Sequence, residues 1–130
     1  MLQNRLLRLI NGLLLPLRVI IPQPYVNYIP GLMTHHDMRT AVVLEVIPNR
    51  ATLLDIGCGP NRLVREHQKR GGEGVGVDVY DWGDVDILVE NSSELPLDDD
   101  SFDVVAFVAC LNHIPNRESV LEEAVRVMKP

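Results

Sequence analysis

Leu53-Leu54-Asp55-Ile56-Gly57-Cys58-Gly59-Pro60 is the stretch on which the reading of this chain turns. Three aliphatic side chains around one acid suit a strand buried on both faces. The two spaced glycines after them remove side chains where a backbone turns sharply or meets a ligand closely. The stretch is expected to be a central strand that feeds a ligand-binding turn. Two common ligands do not fit. A dinucleotide fingerprint needs glycine at its first, third and sixth positions, and the sixth counted from Gly57 is Arg62. A P-loop needs Gly-Lys and then Ser or Thr at the helix start, whereas Pro60-Asn61-Arg62 brings neither the lysine nor the hydroxyl.

Towards the C-terminus, helical and apolar stretches alternate, which predicts an α/β chain. Asn61 is placed to cap a helix that runs to Lys69 or Arg70 and is ended by Gly71-Gly72. Residues 74–79, 85–89 and 103–110 read as the second, third and fourth strands. A last helix over 117–128 is expected to turn Val120, Leu121, Ala124, Val125 and Met128 inward. Asp98-Asp99-Asp100 reads as a solvated turn before a core residue, Phe102.

Towards the N-terminus, Thr34 precedes His35-His36-Asp37, an N-cap pattern for a helix over 35–47 with Met38, Val42, Val43, Leu44 and Ile47 as its buried stripe. Adjacent helical histidines point apart, so this cluster is not read as a metal site. Prolines at 16, 22, 24 and 30 make residues 16–33 an extended connector. Residues 1–15 place Leu2, Leu6, Leu9, Ile10, Leu13 and Leu14 on one side of a helix. Arg8, Pro16 and Arg18 interrupt the apolar run well short of the ~20 residues needed to span a bilayer. Packing across the domain is the preferred reading of this helix, and peripheral membrane contact the alternative. The division expected is 1–33 as helix and connector, 34–130 as the globular domain.

At 130 residues with 46% hydrophobic side chains, the chain has ample material for one core. Net charge is -6, but residues 1–50 carry five bases and two acids while residues 51–130 carry seven bases and sixteen acids. Nucleic acid is a poor partner for that acidic part. Cys58 and Cys110 have no metal-like spacing, which fits reduced thiols and a cytoplasmic protein, with membrane association as the alternative.

Four segments in order carry a resemblance: the glycine turn; Gly74-Val75-Gly76-Val77-Asp78; Asn91-Ser92-Ser93-Glu94-Leu95-Pro96-Leu97; and Ser101-Phe102-Asp103-Val104-Val105 running on to Leu111-Asn112-His113. From about Thr52 onward the chain resembles class I methyltransferases that use S-adenosylmethionine, of the small-molecule type 11-like kind. The resemblance implies a Rossmann-like, doubly wound, mostly parallel sheet with strands in the order 3-2-1-4, preceded by a helical extension. It also implies methyl transfer to a small-molecule acceptor. A non-catalytic cofactor-binding fragment or scaffold that needs a partner chain is the alternative. The family's further strands are absent, so the chain reads as an N-terminal part of a larger fold, with Val104 to Cys110 as an open edge suited to self-association and no activity on its own.

By the same resemblance, Asp55, Gly57, Cys58 and Gly59 are expected around the methionine part of the cofactor, with the Val108 carbonyl towards its ammonium. Asp78 is expected on the ribose hydroxyls, Val79 against adenine, Asn91 on the adenine amino group and the Ser92 N–H on a ring nitrogen. Asn91 stands where the family commonly has Asp, and Asn61 where it commonly has the third glycine of the turn. His113 is a weak candidate for orienting or deprotonating the acceptor, and no metal is expected.

Overall fold

The structure is a computed structural model and describes residues 35–130. The segments 1–15 and 16–33, on which an amphipathic helix and a connector are expected, lie outside the described residues. The chain divides into two compact units between Ala41 and Val42. The second carries the sheet.

Its elements are the end of helix α1 (His35–Val46), strand β1 (Thr52–Ile56), helix α2 (Arg62–Lys69), strand β2 (Glu73–Asp78), strand β3 (Ile87–Leu88), strand β4 (Val104–Ala106), a single 3-10 turn (Leu111–His113) and helix α3 (Arg117–Val127). The four strands form one parallel sheet in the order β3-β2-β1-β4, the topology expected from the sequence.

β1 lies in the middle because it is apolar on both sides. Leu53, Leu54 and Ile56 are each fully buried, contributing roughly 1.5–3 kcal/mol apiece. Leu54 and Ile56 join Val77, Leu95, Phe102, Val120, Ala124 and Val127 on the α3 side. Leu53 joins Leu44, Ile47, Ala51, Leu63 and Val64 on the α2 side. Helices therefore cover both faces of the sheet, as a doubly wound fold requires.

Several boundaries differ from expectation. β2 stops at Asp78, leaving Val79 outside the strand. The third strand is two residues long rather than five, though backbone bonds from the Asp86 N–H to the Gly76 carbonyl and from the Val89 N–H to the Asp78 carbonyl flank it on β2. β4 ends at Ala106 rather than running to Cys110. Its partner β1 ends at Ile56, and Ala109 takes a left-handed φ of 57° that redirects the chain. On α3 the inward residues are Val120, Ala124 and Val127, while Leu121 and Val125 are exposed, as is Met128 just past the helix end. On α1 Leu44 is buried but Val42 is exposed, and Ile47 is buried just past the helix end. Among the described residues no helix is long and apolar enough to cross a membrane.

Candidate functional site

β1 and β2 are in register, with Asp55 opposite Gly76 and Ile56 opposite Val77. The chain leaves β1 through a turn that hangs on β2. The N–H groups of Gly57 and Cys58 both donate to the Val77 carbonyl, at 2.8 and 3.1 Å. Gly57 and Gly59 have φ of 74° and 54°, a region in which side chains are strained. At Gly57 there is a second reason for glycine: a Cβ would stand 2.7 Å from Cys110 Cβ and 2.8 Å from its Sγ. At Gly59 a Cβ would meet nothing within 4 Å, so that side of the turn is open.

Two acids end the central strands. Asp55 is 2% exposed and its Oδ1 has no hydrogen-bond partner. Its neighbours across the sheet are Gly76 on β2 and Ala106 on β4, both small. Burial, and then the charge of Asp78, push the Asp55 pKa up to about 7. Asp78 is also buried, and its Oδ2 accepts the Gly59 N–H at 2.8 Å while Oδ1 accepts the Tyr80 N–H at 3.0 Å. The turn and the end of β2 are thus joined directly. Burial and these carboxylates raise both thiols, Cys58 to about 12 and Cys110 to about 11. The Cys110 thiol donates to the Ile56 carbonyl at 3.0 Å. Both cysteines are neutral near pH 7 and neither is a nucleophile there.

The remaining candidates are more dispersed. Val79 is 57% exposed just past Asp78, followed by the exposed rings of Tyr80 and Trp82, whose centroids are 5.1 Å apart. Asn91 is exposed, and its Oδ1 accepts from the Ser93 N–H at 3.0 Å and Asn116 Nδ2 at 3.2 Å; Ser92 beside it is buried. Val108 is half-buried beyond β4. His113 is exposed in the 3-10 turn, with Nε2 3.1 Å from the Asn112 amide nitrogen. Among the described residues no group of three His, Cys, Asp or Glu side chains could hold a metal.

Two features were not anticipated. Asn61 does not cap α2 with its side chain; it is fully buried and bonded to Asp84 and Asp86. Gly76, a glycine inside a strand, was the available signal of a close approach from above. Cys110 was read as strand, yet it folds over Gly57. A cavity of about 470 Å³ opens at the other end of the strands, lined by Thr52, Gln68, Glu73 and Phe102 among others, and includes none of the candidate residues.

Residues 54–130 match the sequence profile described as methyltransferase domain. The chain is 29% identical over 111 residues to 24-methylenesterol C-methyltransferase 2 of Arabidopsis thaliana, covering 73% of this chain and 30% of that protein. It is 27% identical over 116 residues to a ubiquinone/menaquinone biosynthesis C-methyltransferase of Methylobacterium nodulans, covering 74% and 46%. The chain thus spans less than half the length of either relative. Its fold superposes on a SAM-dependent methyltransferase from Aquifex aeolicus with a TM-score of 0.59 at 22% identity, covering 70% of this chain and 58% of that one.

Proposed function

Because the chain belongs to the methyltransferase domain family, we propose that it binds S-adenosylmethionine at the C-terminal ends of β1 and β2 and serves methyl transfer to a small-molecule acceptor. One observation carries the reading. Asp55 is buried with an unpartnered carboxylate oxygen beside a second buried acid. Such a group is costly unless a cation meets it, and the ammonium of the cofactor is a cation of the right kind.

The other assignments follow the chemistry of each position. The turn at Gly57, Cys58 and Gly59 lets the backbone approach the methionine part, on the side where Gly59 is open. Asp78 keeps lone pairs for the ribose hydroxyls after serving Gly59 and Tyr80. Val79 offers an exposed apolar surface to adenine, and the Ser92 N–H a donor to its ring. Asn91 accepts from the adenine amino group by exchanging its bond to Asn116. The Val108 carbonyl serves as a second acceptor for the ammonium, and His113 orients the acceptor. When bound, the cofactor supplies a methyl group on a positively charged sulfur. The protein therefore needs no nucleophile of its own, consistent with the two raised thiols. Its task is to align the reactants and exclude water. The named activities of the two relatives, on a sterol and in quinone biosynthesis, support a small-molecule acceptor.

Calorimetric titration with S-adenosylhomocysteine tests the site. Asp78→Ala is expected to lose charge-assisted hydrogen bonds worth about 1.5–3 kcal/mol each, and an unchanged affinity refutes the assignment. A second reading, a cofactor-binding scaffold completed by a partner chain, is favoured by the exposed Leu121 and Val125 of α3 and Met128 just past it. Turnover by the 130-residue chain in a methyl-transfer assay would exclude the scaffold and overturn the expectation that this chain is inactive on its own.

A further inference from the structure

Asn61 occupies a position where the backbone itself asks for glycine. Its φ is 57°, in the left-handed region, which asparagine tolerates better than most residues with side chains. What the side chain does is unusual for a residue that begins a helix. It is 0% exposed, and Nδ2 donates to the Asp84 carbonyl at 2.8 Å and to Asp86 Oδ2 at 2.9 Å. Its Oδ1 has no hydrogen-bond partner and rests on Gly76, where a Cβ would come within 2.0 Å of it. The opposite amide orientation would set an oxygen against two acceptor oxygens, so the hydrogen bonds fix which way the group points.

Three parts of the molecule meet at this amide. The first is the glycine turn, whose last residue is Asn61. The second is β2, since Gly76 is the register partner of Asp55 and the amide therefore covers the same face of the sheet as that acid. The third is the loop 79–86, which begins next to Asp78 and carries the rings of Tyr80 and Trp82. Asp86 Oδ2 also accepts the Gly76 N–H at 2.8 Å. Arg65 pairs with Asp84 at 3.0 Å and with Asp86 at 2.6 Å.

We propose that Asn61 is a positioning residue of the site: its buried carboxamide, seated on Gly76, holds the loop 79–86 against the glycine turn and so sets Asp78 and the aromatic pair relative to Gly59. The inference rests on the reading that this turn receives an S-adenosyl cofactor. Aspartate would set a second carboxylate against Asp86 and leave the Asp84 carbonyl without its donor. Glycine or alanine would leave a hollow and remove the donor from both acceptors. A side chain at position 76 would take the space the amide needs.

Four proteins test this: the wild-type chain, Asn61→Gly, Gly76→Ala and the double variant. Three readouts are taken on each: the urea midpoint, the fluorescence anisotropy of Trp82, the sole tryptophan, and calorimetric titration with S-adenosylhomocysteine. Gly76→Ala is expected to be destabilised by the overlap with the amide, and Asn61→Gly in the same chain to restore the midpoint, because the new methyl fits where the amide was. Neither ligand affinity nor Trp82 order is expected to return with it. Asn61→Gly and the double variant are each expected to bind about tenfold more weakly than wild type and to show lower anisotropy. Wild-type affinity in the double variant overturns the proposal, as does unchanged anisotropy in Asn61→Gly. The anisotropy needs no ligand, so failure of wild type to bind S-adenosylhomocysteine counts against the proposed function and leaves that arm decisive. Asn61→Gly adds no atoms, so it decides the matter even where Gly76→Ala does not fold.

Discussion

The two flanks of the sheet are fastened at opposite ends. On the β3 side, the ladder to β2 is two residues long and is flanked by backbone bonds from Asp86 to Gly76 and from Val89 to Asp78, and side chains reinforce the join near the ligand end of the strands. Asp86 gathers the Gly76 N–H, Asn61 and Arg65. On the β4 side the ties sit at the far end. There Asp103 accepts from the Thr52 N–H and hydroxyl, both at 2.7 Å, and from Lys129 at 2.9 Å, and Phe102 bridges in parallel to Met128. Past Ala106 this flank has no ladder, and Ala109 bears the strain of a left-handed φ. The β3 flank is thus reinforced by side chains beside the glycine turn, while the β4 flank is tied by them only at the far end.

Between the flanks stands Asp55, where the largest effect is expected. Its raised pKa means that the native chain holds a proton which the unfolded chain gives up at ordinary carboxylate pH, so stability falls as pH rises towards 7. Asp55→Asn removes this penalty. Urea unfolding is expected to show the variant more stable by up to roughly 4 kcal/mol at pH 8 and little changed at pH 4. A constant difference at the two pH values would contradict the buried, proton-holding acid. Gly57→Ala tests the β4 side of the turn, since the new methyl overlaps Cys110 and adopts a left-handed φ. A loss of about 3 kcal/mol in thermal unfolding is expected.

The β3-side tie comes next. Partial burial alone would raise the Asp86 pKa, but hydrogen bonds from Arg65, the Gly76 N–H and Asn61 outweigh it and hold the carboxyl below its usual range. Asp86→Ala is expected to cost about 2 kcal/mol at neutral pH. That contribution is present above the ordinary carboxylate pKa and is lost as pH falls through the lowered one, so wild type and variant converge in acid. The smallest effect is expected at Asp103→Asn on the exposed far end of the other flank. Donation by the Thr52 N–H, with Lys129, holds this carboxyl well below the usual range. Its contribution too is present above the ordinary carboxylate pKa and fades as pH falls, so the variant is expected to be slightly less stable than wild type at neutral pH and to converge with it in acid. If Asp103→Asn proves more damaging at neutral pH than Asp86→Ala, the contrast between the flanks is wrong.

The same contrast marks where the sequence was legible. The acid-glycine turn could be read because an apolar run followed by Gly57 and Gly59 has few other uses, and the strand order through the family resemblance that this turn and the three later segments carry. The face of α3 could not. Val120, Ala124 and Val127 form one apolar stripe, and Leu121, Val125 and Met128 a second at the same helical spacing. Periodicity cannot choose between them, and only the packed sheet does. The end of β4 was hidden for a similar reason, since residues 104–110 are apolar throughout and the stop comes from the length of β1 and the backbone at Ala109. Asn61 was misread because a polar residue before a helix is ordinarily a cap. Its real partners are Gly76, Asp84 and Asp86, beyond the reach of any local pattern.

The central claim is that Asp55 is kept buried and unpaired to receive a cationic group. Asp78 faces it from β2, Cys58 from the turn and Cys110 from beyond β4, and both thiols stay neutral well above pH 8. Asp55 must be ionised to hold the ligand ammonium, and its pKa of about 7 sets the range. Titration of S-adenosylhomocysteine into the wild-type chain and Asp55→Asn from pH 6 to pH 8 is the direct measurement. Wild-type affinity is expected to rise with pH and level off above neutrality, while the variant binds weakly with no such rise; a flat wild-type profile, or a variant that binds as tightly as wild type, would contradict the account.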